Sequence, residues 1–85
     1  MKLQILTPEK VAFDGEAEAL LVPGKAGPFE ILKDHAPILS SLSAGALRIK
    51  VERKESYFQV SGGFLEFHAN QAVVLVDSAE PTVSP

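Results

Sequence analysis

The chain has 85 residues, 46% of them hydrophobic and 22% charged, with a formal net charge of −3. That composition is globular rather than disordered, the length suits one domain, and the lack of a basic excess argues against nucleic acid as a partner. The chain has no cysteine, which removes disulfide staples, thiolate nucleophiles and zinc–thiolate sites, and no run nears the about 20 apolar residues of a membrane span.

The start, MKLQILTPEKVAF, lacks a long apolar core and a small-residue cleavage site. It is not read as a signal peptide, and a soluble cytoplasmic domain is expected. Within it, KLQIL alternates Leu3 and Ile5 against Lys2 and Gln4, the period of a half-buried strand. EAEALL, residues 16–21, is rich in helix formers. Gly15 and Pro23 bracket it and leave room for at most about two turns, too few for a stable isolated helix. Its alternation of Glu16 and Glu18 against Ala17, Ala19 and Leu21 predicts a strand.

PGKAGP, residues 23–28, has the glycines and lysine of a phosphate cradle but no helix after it, so it predicts a turn entering a strand at Phe29 and Glu30. ALRIKVERK sets Leu47, Ile49 and Val51 against Arg48, Lys50 and Glu52, a second amphipathic strand. SYFQV suits a pleated sheet. SGGF, residues 61–64, predicts a turn in which paired glycines supply positive φ. AVVLV, residues 72–76, is apolar on both faces and predicts a strand covered from both sides or by a partner. Glycine and proline recur at Pro8, Gly15, Pro23-Gly24, Gly27-Pro28, Pro37, Gly45 and Gly62-Gly63. Short segments at such spacing predict an all-β fold, a flattened sandwich or barrel of about 8–10 short strands. The domain is placed at 1–80. The end, AEPTVSP, holds two prolines, so 81–85 is read as a loose tail without a ladder.

ILKDHAPILSSL, residues 31–42, invites a catalytic reading: an acid, a histidine and two serines. A triad needs the carboxylate to orient the imidazole and the imidazole to reach the hydroxyl. Neighbours on an extended chain point apart, so Asp34 and His35 are poorly placed to pair. His35 and His68 are 33 residues apart and form no metal-ligand spacing. Pro37 fixes its own φ and restricts Ala36 to extended conformations. His35 therefore reads as a rigid corner at the mouth of a strand, suited to recognition because little entropy is lost on docking.

In order along the chain stand Thr7-Pro8-Glu9 with Val11, Phe13 and Gly15, then Pro23-Gly24 and His35-Ala36-Pro37-Ile38-Leu39. Residues 44–49, SGGFLE at 61–66 and VVLVDSAE at 73–80 follow. This order and spacing resembles the N-terminal domain of the epsilon subunit of F-type ATP synthases over residues 3–80. Glu30 stands where the family usually has glycine. Lys33 and Asp34 stand where it often has proline then glycine or asparagine, and Ala44 replaces a common proline. Family members typically continue into a C-terminal helical hairpin that inhibits hydrolysis and in some binds ATP; no ATP binding and no such inhibition are expected of these residues.

The resemblance implies a β-sandwich in the central stalk, a non-catalytic rotor subunit without cofactor or metal. It would link the gamma subunit to the polar loops of the c-ring and transmit torque, peripheral on the cytoplasmic face of a bacterial inner membrane. By resemblance, Thr7, Pro8, Glu9, His35, Ala36, Pro37 and Ser40 face gamma. Lys25, Ala26, Gly27, Pro28, Phe29 and Glu30 face the c-ring. Phe29 fits either an interface anchor or core packing. The alternative function is a free-standing β-sandwich that binds a peptide or protein.

Overall fold

A computed structural model describes residues Met1–Ser84. Ten strands follow one another: β1 (Lys2–Leu6), β2 (Val11–Glu16), β3 (Ala19–Val22), β4 (Phe29–Leu32), β5 (Ile38–Leu42), β6 (Gly45–Val51), β7 (Lys54–Val60), β8 (Gly63–His68), β9 (Gln71–Val76) and β10 (Ala79–Thr82). They form two five-stranded sheets, ordered β2-β1-β9-β8-β5 and β10-β7-β6-β3-β4. All pairings are antiparallel except that of β1 with β9, where the chain returns beside its own start. The all-β sandwich expected from the sequence is what forms. Its principal extents, 27 × 26 × 24 Å, make it nearer a cube than a flattened slab.

The period-two pattern accounts for the core. Leu3 and Ile5, Leu20 and Val22, Leu47 and Ile49, Leu65 and Phe67, and Ala72, Val74 and Val76 all turn inward and are buried. No polar or charged residue among the described ones is buried. Side-chain packing in the core is thus apolar throughout, worth about 25 cal/mol per Å2 buried, and the strand ladders supply the hydrogen bonds. Phe13 meets Phe58 edge to face, ring centroids 6.4 Å apart.

Three expectations need correction. EAEALL is not one strand: β2 ends at Glu16 and β3 begins at Ala19. Between them Ala17 donates to the Met1 carbonyl (2.8 Å) and Glu18 to Lys50 (2.8 Å), so the chain steps from one sheet to the other. The tail is shorter than expected, because Ala79–Thr82 pairs with β7. Pro81 is tolerated there because β10 is an edge strand, where a missing donor breaks no ladder. Val83 and Ser84 follow the strand, and Pro85 lies outside the described residues. Finally, neither Gly62 nor Gly63 has positive φ; Gly27 does, at 131°.

Strand direction alternates along the chain, so the connections sort to two ends. Residues 7–10, 23–28, 43–44, 61–62 and 77–78 lie at one end, here the upper; 17–18, 33–37, 52–53 and 69–70 lie at the lower. At the lower end Ala69 and Asn70 form the two-residue turn of the β8–β9 hairpin, with φ of 51° and 58°. Positive φ at both positions matches the twist of the strands but strains alanine. Ala69→Gly should therefore stabilise the domain by about 0.5–1 kcal/mol and raise its melting temperature by about 2–8 °C. Thermal unfolding followed by circular dichroism checks this; an unchanged midpoint would show the turn to be unstrained.

Candidate functional site

The two outer faces differ in chemistry. On the β10-β7-β6-β3-β4 sheet one row reads Glu30, Leu21, Arg48, Tyr57, Thr82. Arg48 reaches Glu30 at 3.0 Å and Glu55 at 3.9 Å. The Tyr57 hydroxyl donates to Glu55 (2.9 Å). That bond, then desolvation and the Glu55 charge, raise the phenol above its usual 10.0, with Arg48 pulling the other way. Tyr57 thus stays neutral across the physiological range. Ion pairs of this exposed kind add little stability; they make a face that is content in water.

The face of the β2-β1-β9-β8-β5 sheet is graded instead. Its upper row reads Val11, Leu6, Leu75, Phe64, Ser41. Val11, Leu75 and Phe64 leave 59%, 51% and 54% of their surface in water. The next row mixes Asp14, Gln4, Val73, Glu66 and Leu39, the last 73% exposed. The lowest carries Glu16, Lys2, Gln71 and His68. At the upper end the apolar row deepens into a groove of about 650 Å3 lined by Leu6, Thr7, Pro8, Phe64, Leu75, Val76, the Gly62-Gly63 backbone and one charged residue, Asp77. Burying the remaining half of each exposed side chain would stabilise a complex by about 1–2 kcal/mol per residue. An adjacent run of this kind, rather than scattered apolar residues, marks an interaction surface.

The local chemistry of the groove walls is plain. Thr7 caps its own turn: its hydroxyl accepts from the Glu9 and Lys10 amides (3.3 and 3.1 Å). Its amide donates to the Lys10 carbonyl at 3.0 Å. Gly63 forms the floor because β8 and β9 approach so closely there that a methyl would collide with the Leu75 carbonyl oxygen and stand 2.9 Å from Val76 Cγ1.

The residues proposed from the sequence are not brought together into one patch. Thr7, Pro8 and Glu9 lie at the upper end beside the groove. Lys25, Ala26, Gly27 and Pro28 lie at the same end, beyond β5, to which Lys25 is tied by a hydrogen bond from its backbone amide to the Ser41 carbonyl (3.0 Å). Phe29 turns inward, half-buried against the core, and its ring covers Gly24. Glu30 belongs to the Arg48 row. His35, Ala36 and Pro37 are exposed at the lower end, ahead of β5. Ser40 pairs with buried Leu65 and faces inward, its hydroxyl donating to the Ser41 carbonyl (3.1 Å). The Asp34 carboxylate is engaged by Asn70 and His35 Nδ1 lies 2.7 Å from its neighbour's carbonyl, Ala36 O. Residues 34–41 therefore form no relay. Sequence reasoning missed Phe64, Leu75, Leu6 and Val11. The signal for Leu75 was the unbroken AVVLV run, whose second apolar face had no cover within the chain.

Comparison with known proteins follows the same line. The family described as "ATP synthase, Delta/Epsilon chain, beta-sandwich domain" matches residues 1–82. The chain is 42% identical over 77 residues to a protein named ATP synthase epsilon chain from Chlorobium limicola, covering 89% of this chain and 88% of that one. To the epsilon chain of Dehalococcoides mccartyi it is 44% identical over 80 residues, covering 94% of this chain and 57% of that protein. A chain in the mitochondrial ATP synthase of Euglena gracilis, solved with OSCP, F1 and the c-ring, superposes with a TM-score of 0.87 at 21% identity, over 93% of this chain and 51% of that one. The last shows likeness of fold. The match over nearly the whole sandwich, at 42–44% identity to epsilon chains, places this chain in the β-sandwich domain family of the ATP synthase delta and epsilon chains.

Proposed function

We propose that this domain works in the central stalk of an F-type ATP synthase. It is a non-catalytic rotor part that docks on the gamma subunit and lies against the polar loops of the c-ring. As part of that complex it sits peripherally at the cytoplasmic face of a bacterial inner membrane. The observation that carries the reading is the apolar row Val11-Leu6-Leu75-Phe64, in which Val11, Leu75 and Phe64 are each more than half exposed, and its groove. A rotor part needs stiffness and two contact surfaces. Two packed sheets supply the first.

For gamma we assign the graded face, with Thr7 and Pro8 at its upper rim. His35 to Pro37 lie at its lower end, linked by exposed Leu39. A strand of this length spans about 17–20 Å, so one partner surface of the standard size, about 800 Å2, covers both ends. For the c-ring we assign the exposed turn 25–28, at the upper end but on the far side of β5. The two assignments then occupy different surfaces, as torque transfer between two partners requires. Mixing the purified chain with gamma and measuring complex formation by calorimetry and size exclusion tests the reading. A stoichiometric complex is expected. A stable monomer with no affinity for gamma would instead identify a free-standing binding module.

A further inference from the structure

Lys33 and Asp34 precede the His35 corner, and the conformation of Asp34 is unusual. The His35 amide donates to the Leu32 carbonyl (3.1 Å), closing a four-residue turn. Asp34, at its third position, has φ of 67°. A turn with positive φ at that position alone is of type II, which favours glycine there. An aspartate needs support to stay in it.

That support comes from 36 residues away. The Asp34 amide donates to Asn70 Oδ1 at 2.7 Å. Asn70 Nδ2 donates back to Asp34 Oδ1 at 2.8 Å. Two bonds in opposite directions make a closed ring between the 33–37 loop and the β8–β9 hairpin. Asn70 is anchored in turn, since its carbonyl accepts from the Lys2 amide at 2.9 Å. The corner beyond is held on its other sides as well. His35 Nδ1 lies 2.7 Å from the Ala36 carbonyl, and its ring stands edge-on to buried Phe67 at 6.0 Å. Pro37 restricts Ala36. Opening the Asp34–Asn70 ring removes the constraint on the N-terminal side. Asp34 is then free to relax to negative φ, which swings His35 away from its present direction.

We propose that Asn70 is a positioning residue for gamma docking: by clasping Asp34 it holds an unfavourable turn that aims the His35 corner. This rests on the reading that the corner touches gamma. Asn70→Gly is the informative change, because glycine keeps the positive φ of the hairpin and removes only the clasp. In the whole 85-residue chain, N70G should weaken gamma binding by about tenfold. The backbone amide resonances of His35 and Ala36 should move, while the loss of the two clasp bonds lowers the melting temperature by about 10 °C at most and leaves the domain folded. Adding Asp34→Gly should bring affinity back to within about threefold, since glycine takes the type II position unaided. A purely structural clasp gives no such rescue. If N70G leaves both affinity and the His35 resonances unchanged, or the double variant fails to recover, the proposal is overturned. His35→Ala separates the causes. If it leaves affinity intact while N70G moves the corner, the docking reading has failed at this end of the sheet. If it weakens binding while N70G has no effect, only the clasp has failed.

Discussion

Gly63→Ala should unfold the domain or come close to it. The strand β8 lies between β5 and β9, and Gly63 pairs with both Leu42 and Val76. The added methyl meets backbone, the Leu75 carbonyl oxygen, as well as the Val76 side chain. Backbone in the middle of a sheet cannot swing aside as a flexible side chain can. Relief requires β8 to shift against β9, which breaks ladder bonds of a strand that carries fully buried Leu65 and Phe67. Overpacking typically costs about 1–3 kcal/mol where side chains can adjust, so about 3 kcal/mol or more is expected here. A chain of this length has a total stability of about 4–13 kcal/mol. Urea unfolding measures the difference, with Gly62→Ala as the control: its methyl would stand 3.1 Å from the Leu42 carbonyl, a clash of tenths of an ångström. If G63A unfolds at nearly the same denaturant concentration as the parent chain, the close approach of β8 and β9 is wrong.

Phe64→Asp should abolish gamma binding while sparing the fold. Phe64 points outward from β8, 54% exposed, between Leu75 and Ser41. Removing it from the free domain forfeits the buried half of the ring, about 1–2 kcal/mol, which a domain of about 4–13 kcal/mol stability tolerates. In a complex it would be the large aromatic at the β5 end of the apolar row, the kind of residue that dominates interface energies. Aspartate deletes that contact and sets an unpaired charge where the partner excludes water. A loss of about 3–4 kcal/mol, or some hundredfold to a thousandfold in affinity, is expected. The control is Glu55→Asp on the opposite sheet, which keeps a carboxylate near Arg48 and should leave affinity unchanged. Calorimetry against gamma reads both. Retained binding by F64D would move the docking surface off this face.

The strands were legible in the sequence because burial on one face imposes alternation, and alternation survives in any single segment. Leu3 and Ile5, or Leu47 and Ile49, announce their strand without reference to the rest of the chain. The step at Ala17 and Glu18 was not legible. Its helix formers and its alternation both continue across it, and what breaks the strand is pairing with Met1 and Lys50, distant in sequence. The strand at Pro81 was missed for a related reason: proline excludes a central strand but not an edge, and edge position is a property of the whole sheet. Glycine roles were misread likewise. Gly62-Gly63 looks like a positive-φ turn, yet Gly63 is required by the nearness of another strand's backbone.

By itself the sequence determined the fold class, the apolar character of the core and, through ordered motifs, the family. These depend on local periodicity and on residue identity at set spacings. Only the tertiary structure decided which apolar residues remain in water. Leu75 and Val74 read alike along the chain, but a strand presents them to opposite faces, and sheet order then leaves one face without a second layer. Only the structure, too, showed how Lys33-Asp34 can stand before His35: the residue that supports Asp34 is Asn70, brought to it by the folding of two sheets rather than by any neighbour in the sequence.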